Sequence, residues 1–216
     1  HPTWQQPLFD ALDKRGVDYL AYDVKSAAFD LTEDIQASTI FNQVSPSAYV
    51  RGNGHAVPFA LALLDHFESN GARVLNGASA FRLELDKIAQ IRLMRNLGMD
   101  YPWTIGFNNV EALWEHEEAL NFPAILKPNQ GGSGARMAEV NSLKELKFLL
   151  EEDSSLWQPD PVLLLQEKLD HDPAKQGIVR LEFLDGELLY AMRVIGVSGF
   201  NLCPSIDCNP EGDEDG

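Results

Sequence analysis

The chain has 216 residues, 44% of them hydrophobic and 23% charged, which is enough for one large or two small globular domains with a sizeable core. Its formal charge of −16 argues against a general nucleic-acid binder, which needs a basic surface to displace counterions, yet it leaves room for a local basic pocket. The only cysteines, Cys203 and Cys208, are too few for a disulfide framework or a four-ligand zinc site and fit a reducing cytoplasmic setting; no run approaches the ~18 apolar residues of a membrane span.

The chain opens His1-Pro2-Thr3-Trp4, neither an initiator methionine nor a usual leader. Gln6 to Arg15 reads as a helix, where an α/β unit would normally place a strand first, so the chain is expected to lack its first residues. Val17 to Val24 and Ser38 to Val44 read as strands. Gly54 to Asn70 reads as a helix with Val57, Leu61 and Leu64 at helical spacing, closed by Gly71. Ala72 to Leu75 follows as a short strand and Asn76-Gly77 as a turn. This βα rhythm predicts a small parallel-sheet domain over residues 1–78.

Residues 79–97 read as one helix, with Leu83, Lys87, Ile91 and Met94 near one line. A lysine inside an apolar stripe either snorkels to solvent or meets an anion. Asp100 to Thr104 is an extended link, and Asn109 to Leu120 a helix. Phe122 to Lys127 is a strand running into a loop with Gly131, Gly132, Ser133 and Gly134, and Arg136 to Val140 is its hairpin partner. Glycines let a backbone fold around an anion with its N–H groups exposed, and Lys127 adds a compact positive charge at the strand end. Ser142 to Glu151 is a helix with a Ser142/Glu145 capping box. Val162 to Gln166 is a buried strand. Gly177 to Leu184 and Glu187 to Ile195 flank the turn Asp185-Gly186 as a hairpin. Counting from that turn puts Arg180 opposite Ala191 and Ile178 opposite Arg193, so that Arg180 and Arg193 share a face. There they either hold an anion between them, or Arg180 simply pairs with Glu182. Four acids in the last six residues, Glu211, Asp213, Glu214 and Asp215, read as a solvated tail.

Neither G-x-x-x-x-G-K-[ST] nor a strand-to-helix G-x-G-x-x-G is present. The glycine loop joins two strands instead, the geometry of a flap over phosphates, and the catalytic-loop and metal motifs of kinases are missing. The five histidines, His1, His55, His66, His116 and His171, are scattered without ligand spacing.

The order Lys87, Lys127, the loop 131–134, the strand-end tetrad Gln166-Glu167-Lys168-Leu169 and the two arginines resembles the ATP-grasp superfamily, especially its ribosomal-protein S6 glutamate ligases and related carboxylate–amine ligases. The similarity runs from about Gly52 to Pro204. It implies an α/β (α+β) fold with a pre-ATP-grasp domain at 1–78, an ATP-grasp N-terminal subdomain with its flap at 79–168 and a partial C-terminal subdomain at 169–216. It implies that Lys87 and Lys127 reach the nucleotide phosphates, that Gly131, Gly132, Ser133 and Gly134 cover them, and that Gln166, Glu167, Lys168 and Leu169 hold the adenine. Arg180 and Arg193 would hold the transferred phosphoryl group or acyl phosphate as the catalytic pair. Three features depart from the family pattern: Arg136 stands where a further glycine is usual, Ile178 stands where an aspartate is frequent, and the family's acidic metal ligands do not occur before residue 216, Asp207 and Glu211 being poor substitutes. The chain is therefore expected to continue beyond that residue.

The implied activity is an ATP-dependent ligase forming C–N bonds through an acyl phosphate with release of ADP and phosphate. ATP with Mg2+, or Mn2+ in its place, is the implied cofactor. Small-molecule or peptide carboxylates and amines are the implied partners, without nucleic acid or membrane and with room for a homo-oligomer. The alternative is a nucleotide-binding scaffold or regulator without catalysis. Ser45 to Gly52, with Arg51, is the expected substrate-contacting segment.

Overall fold

A computed structural model of the chain describes residues 2–33, 37–132, 134–158, 160–195 and 200. His1, Ser133, Cys203, Asp207, Cys208 and the acidic tail lie outside the described residues. The elements in order are α1 (Pro2–Lys14), β1 (Thr39–Phe41), a 3-10 helix (Pro46–Arg51), α2 (Ala56–Ser69), β2 (Arg73–Leu75), α3 (Ala78–Leu85), α4 (Lys87–Asn96), β3 (Thr104–Phe107), α5 (Val110–Trp114), β4 (Ala124–Pro128), β5 (Ala138–Val140), α6 (Leu143–Glu152), β6 (Leu163–Glu167), α7 (Pro173–Gln176), β7 (Ile178–Leu184) and β8 (Glu187–Val194). Among the described residues no helix is long and apolar enough to cross a membrane.

The fold is mixed α/β, as the sequence implied. In the first part β1 and β2 pair in parallel, Thr39 opposite Arg73 and Phe41 opposite Leu75, with α2 as the crossover. Val57, Ala60 and Leu64 of α2 bury against Ala78 and Phe81 of α3. The expected strand at 17–24 does not form. Its residues pair with neither strand, and Tyr19 stacks instead on Phe9 of α1 at 5.0 Å between ring centroids. A β-favouring run with no partner ladder has nowhere to place its backbone groups except water.

The expected helix 79–97 is two helices, broken at Asp86. This residue is extended (φ −124, ψ 99), and its carboxylate accepts a hydrogen bond from the Ala89 N–H at 2.9 Å as the N-cap of α4. The Gln90 side chain donates back to the carbonyls of Leu83 (2.9 Å) and Glu84 (3.3 Å) at the end of α3, so both helix ends are satisfied. Lys87 thereby becomes the first residue of a helix rather than the middle of a stripe. The expected helix 109–120 is also shorter, stopping at Trp114 with one 3-10 turn at Glu117–Ala119.

The second part is built on a four-stranded antiparallel sheet in the order β3-β6-β4-β5. One face buries Phe107, Ala124, Leu126, Val140, Leu163 and Leu165 against Leu113 of α5 and Leu146 and Leu150 of α6. β3 occupies the stretch after the expected extended link at 100–104. Gly106 in its middle leaves room for Ile88 of α4, whose Cδ1 a Cβ there would approach to 2.8 Å. The Ser142 hydroxyl accepts from the Glu145 N–H at 3.2 Å, while the Glu145 carboxylate accepts from the Asn141 N–H at 2.8 Å, a capping box displaced by one residue.

The hairpin β7–β8 forms at the expected turn, with Asp185 and Gly186 both at positive φ (51 and 82). Its register differs from the count. A bulge at Glu182/Phe183 inserts one residue into β8, so Arg180 lies opposite Met192 and Arg193 opposite Val179. Directly opposed residues share a face and successive residues alternate, which puts Arg180 and Arg193 on opposite faces of the hairpin, contrary to the sequence expectation.

Candidate functional site

β4 alternates: Ala124, Leu126 and Pro128 are buried in the core, whereas Ile125 and Lys127 are half-buried on the other face. The register brings Thr104 and Ile125 opposite Gln166, and Lys127 opposite Leu164, so Thr104, Gln166 and Lys127 share that second face. They form a chain of hydrogen bonds. The Lys127 ammonium donates to Gln166 Oε1, Gln166 Nε2 donates to Thr104 Oγ1 at 2.8 Å, and the Thr104 hydroxyl donates to the Pro102 carbonyl at 2.9 Å. Gln166 is almost fully buried and its amide is engaged at both ends. Burial lowers the Lys127 pKa from the ordinary lysine value.

Lys87 reaches the end of the same strand from α4. Its ammonium donates to the carbonyls of Pro128 (3.0 Å) and Asn129 (2.9 Å). Asn129 holds this junction together: its Oδ1 accepts from the Ile88 N–H at 2.9 Å, its Nδ2 donates to Asp160 Oδ2 at 3.3 Å, and its own N–H donates to the Val162 carbonyl at 2.8 Å. The Lys87 pKa falls to about 8, first because the ammonium is buried and second because the Lys127 charge lies close by, with Asp160 opposing the shift. The positive end of the α4 dipole adds to the same imbalance. The strand end thus holds two crowded cations that an anion would relieve.

The glycine loop closes over this corner. Gly131 (φ 158), Gly134 (φ 70) and Arg136 (φ 56) all take positive φ, and Arg136 is why the returning strand begins only at Ala138. The loop leans on the 3-10 helix of the first part: a Cβ at Gly132 would stand 3.1 Å from Ser47 Cβ, and one at Gly131 would stand 3.1 Å from Tyr49 Oη and 3.8 Å from Lys87 Nζ. The Arg136 guanidinium lies 5.3 Å from the Tyr49 ring centroid. The Ser45–Gly52 segment therefore lies directly beside the glycine loop. Within it Arg51 donates to Ser47 Oγ at 3.4 Å and lies 5.7 Å from the Trp4 ring centroid.

The tetrad Gln166-Glu167-Lys168-Leu169 at the end of β6 is engaged by the protein itself. The Glu167 carboxylate accepts from the Trp103 N–H at 3.1 Å, the Lys168 ammonium pairs with Glu139 at 2.8 Å, and Leu169 is exposed. The structure gathers Lys87, Lys127, Gly131, Gly132 and Gln166 in one corner. It gives Arg180 and Arg193 no such convergence, since the hairpin carries them on opposite faces. The sequence reading did not single out Thr104, Asn129 or Asp160, and it had Tyr49 only as part of the Ser45–Gly52 segment. Asn129 alone had a local signal, standing between Lys127 and the glycines. Among the described residues no group of three or more His, Cys, Asp or Glu side chains could hold a metal ion.

The architecture is that of the ATP-grasp fold. The chain superposes on an ATP-grasp RimK-domain protein of Sphaerobacter thermophilus with a TM-score of 0.63 at 20% identity, covering 82% of this chain and 63% of that one. In sequence it is similar to ligases that act on amino acids. It is 28% identical over 125 residues to a D-alanine–D-alanine ligase of Corynebacterium urealyticum, covering 57% of this chain. It is 29% identical over 135 residues to a probable alpha-L-glutamate ligase of Desulfotalea psychrophila, covering 60% of this chain. The chain spans 33% and 29% of these two relatives, about a third of their length. No protein-family profile matches it.

Proposed function

We propose that the chain carries the nucleotide-binding part of an ATP-dependent carboxylate–amine ligase. The observation that carries this reading is the convergence of Lys87 and Lys127, both half-buried with lowered pKa, beneath a glycine loop at one strand end. The likeness to D-alanine and glutamate ligases supports the reaction class. In this reading the division at residues 78 and 168 separates an acid-binding part, a nucleotide-binding part and a hairpin part.

Lys127 and Lys87 neutralise the phosphates, the backbone N–H groups of Gly131, Gly132 and Gly134 close over them, and Ser133 belongs to the same loop. The strand-end backbone from Gln166 to Leu169 receives the adenine. A substrate carboxylate attacks the γ-phosphorus, ADP leaves, and an amine then displaces phosphate from the acyl phosphate. The protein's part is orientation and charge neutralisation, so no side-chain nucleophile is required. Magnesium, or manganese in its place, bound with the nucleotide would supply further charge neutralisation; among the described residues no acidic cluster fits it. In this reading one of Arg180 and Arg193, rather than both, faces the acyl phosphate.

ADP release measured with magnesium across a panel of carboxylic acids and amines tests the assignment. Release that needs both an acid and an amine is expected. Nucleotide binding without turnover in every combination would instead make the chain a scaffold.

A further inference from the structure

Tyr49 stands apart from its neighbours in one respect. The other hydroxyls of its segment are paired: Ser45 Oγ and Ser47 Oγ lie 2.8 Å apart, and Arg51 donates to Ser47 Oγ. Among the described residues the buried Tyr49 Oη has no hydrogen-bond partner, and the Gly132 N–H is turned towards it without closing a bond of standard geometry. A buried hydroxyl without a partner costs stability, and a close-packed fold retains one only against a compensating use.

The surroundings indicate the use. The position a Cβ would take on Gly131 is 3.1 Å from Tyr49 Oη, 3.5 Å from Pro128 Cγ and 3.8 Å from Lys87 Nζ. The tyrosine hydroxyl and the lysine ammonium therefore both flank Gly131, whose missing side chain lets the loop backbone approach them closely. The ring is fixed by the Arg136 guanidinium over its face, so the hydroxyl is aimed rather than free to swing. Both polar groups beside Gly131 can donate, which suits an oxygen that only accepts.

We propose that Tyr49 is a ligand-binding residue whose hydroxyl donates a hydrogen bond to a nucleotide phosphate oxygen lodged between Tyr49, Gly131 and Lys87. The inference rests on the nucleotide reading of the site and extends it to the first part of the chain. Phosphate is favoured over a substrate carboxylate because the hydroxyl's neighbours at this point, Lys87 and the glycine loop, are the groups the nucleotide reading assigns to the phosphates. The contact makes the 3-10 helix Pro46–Arg51 a sensor of the loaded nucleotide, since the loop rests on Ser47 and Tyr49 at the same point.

Tyr49→Phe removes one oxygen and keeps the ring beneath Arg136. The test compares wild type and Tyr49→Phe in the whole chain by thermal melting without ligand and by calorimetric titration with ADP and with a non-hydrolysable ATP analogue. The expected result is an unliganded melting temperature unchanged or raised, with affinity for the analogue lowered about 10- to 100-fold, as for a lost hydrogen bond to a charged group. Loss with both nucleotides places the oxygen on the α- or β-phosphate, and loss confined to the analogue places it on the γ-phosphate. Equal affinities of the two proteins for both nucleotides overturn the Tyr49 assignment alone. A wild-type chain that binds neither nucleotide overturns the ligase reading and this inference with it.

Discussion

The four-stranded sheet and the β7–β8 hairpin are both antiparallel, and the hairpin and three of the sheet's strands were expected from the sequence, yet they differ in what holds them. The sheet buries Leu126, Leu163 and Leu165 completely against two helices. The hairpin leaves Phe183 at 61% and Leu184 at 66% exposed, and among the described residues its strands pack extensively only on each other. A two-residue turn and a register are enough to specify a hairpin, but they bury nothing by themselves. The chemistry follows the same division. Gln166 on the sheet is held between Lys127 and Thr104, whereas for the arginines the register settles which face of the ribbon each one leaves.

The contrast is broken most directly by truncation. Leu126→Ala or Leu165→Ala should cost roughly 2–5 kcal/mol of folding stability, the cost of a cavity in a filled core, while Leu181→Ala should stay within about 0.5 kcal/mol. Denaturant unfolding checks both, and equal costs would mean that the hairpin face is buried in solution. For binding, Lys127→Ala should lose roughly 1.5–3 kcal/mol of ATP affinity by titration, because one charged hydrogen bond disappears. Because the register puts them on opposite faces, Arg180→Ala and Arg193→Ala should act additively on turnover to within about 0.5 kcal/mol. A larger coupling energy in the double variant would restore them to one site. The smallest effect is local: Ser142→Ala should cost about 1 kcal/mol through the lost cap of α6, read as a shift in the same unfolding curve.

What the sequence made legible follows the range of its signals. The glycine loop, Lys127 at a strand end and the Asp185-Gly186 turn carry local composition and were placed correctly along the chain, whereas Lys87 was read into the middle of a helix. The break at Asp86 was hidden because the apolar spacing of Leu83, Ile91 and Met94 continues through it; the N-cap residue Asp86 was the signal, passed over inside the expected helix. β3 was hidden because a short strand with a central glycine lacks the usual alternation, and its glycine is explained only by Ile88 from another element. The bulge at Glu182/Phe183 has no compositional mark, yet a single inserted residue reversed the relation between the two arginines. Tyr49 and Asp160 enter the site through contacts spanning long stretches of chain, which no local pattern encodes.

The central claim is that crowded, half-buried cations at the end of β4 are kept for a polyanion, and proton linkage tests it. In the folded chain without ligand, Lys87 titrates near pH 8, below the unfolded lysine value of 10.5. Between these values the unfolded chain binds more protons, so the stability of the unliganded protein should rise with pH across that window. A bound triphosphate favours the ammonium and raises its pKa, so ATP affinity should fall as pH rises above about 8. Calorimetric titration of ATP at pH 8.5 in two buffers of different ionisation enthalpy measures the protons exchanged. The account predicts uptake of roughly half a proton or more by the wild-type chain, abolished in Lys87→Met. ATP binding with no proton uptake by the wild type would contradict it.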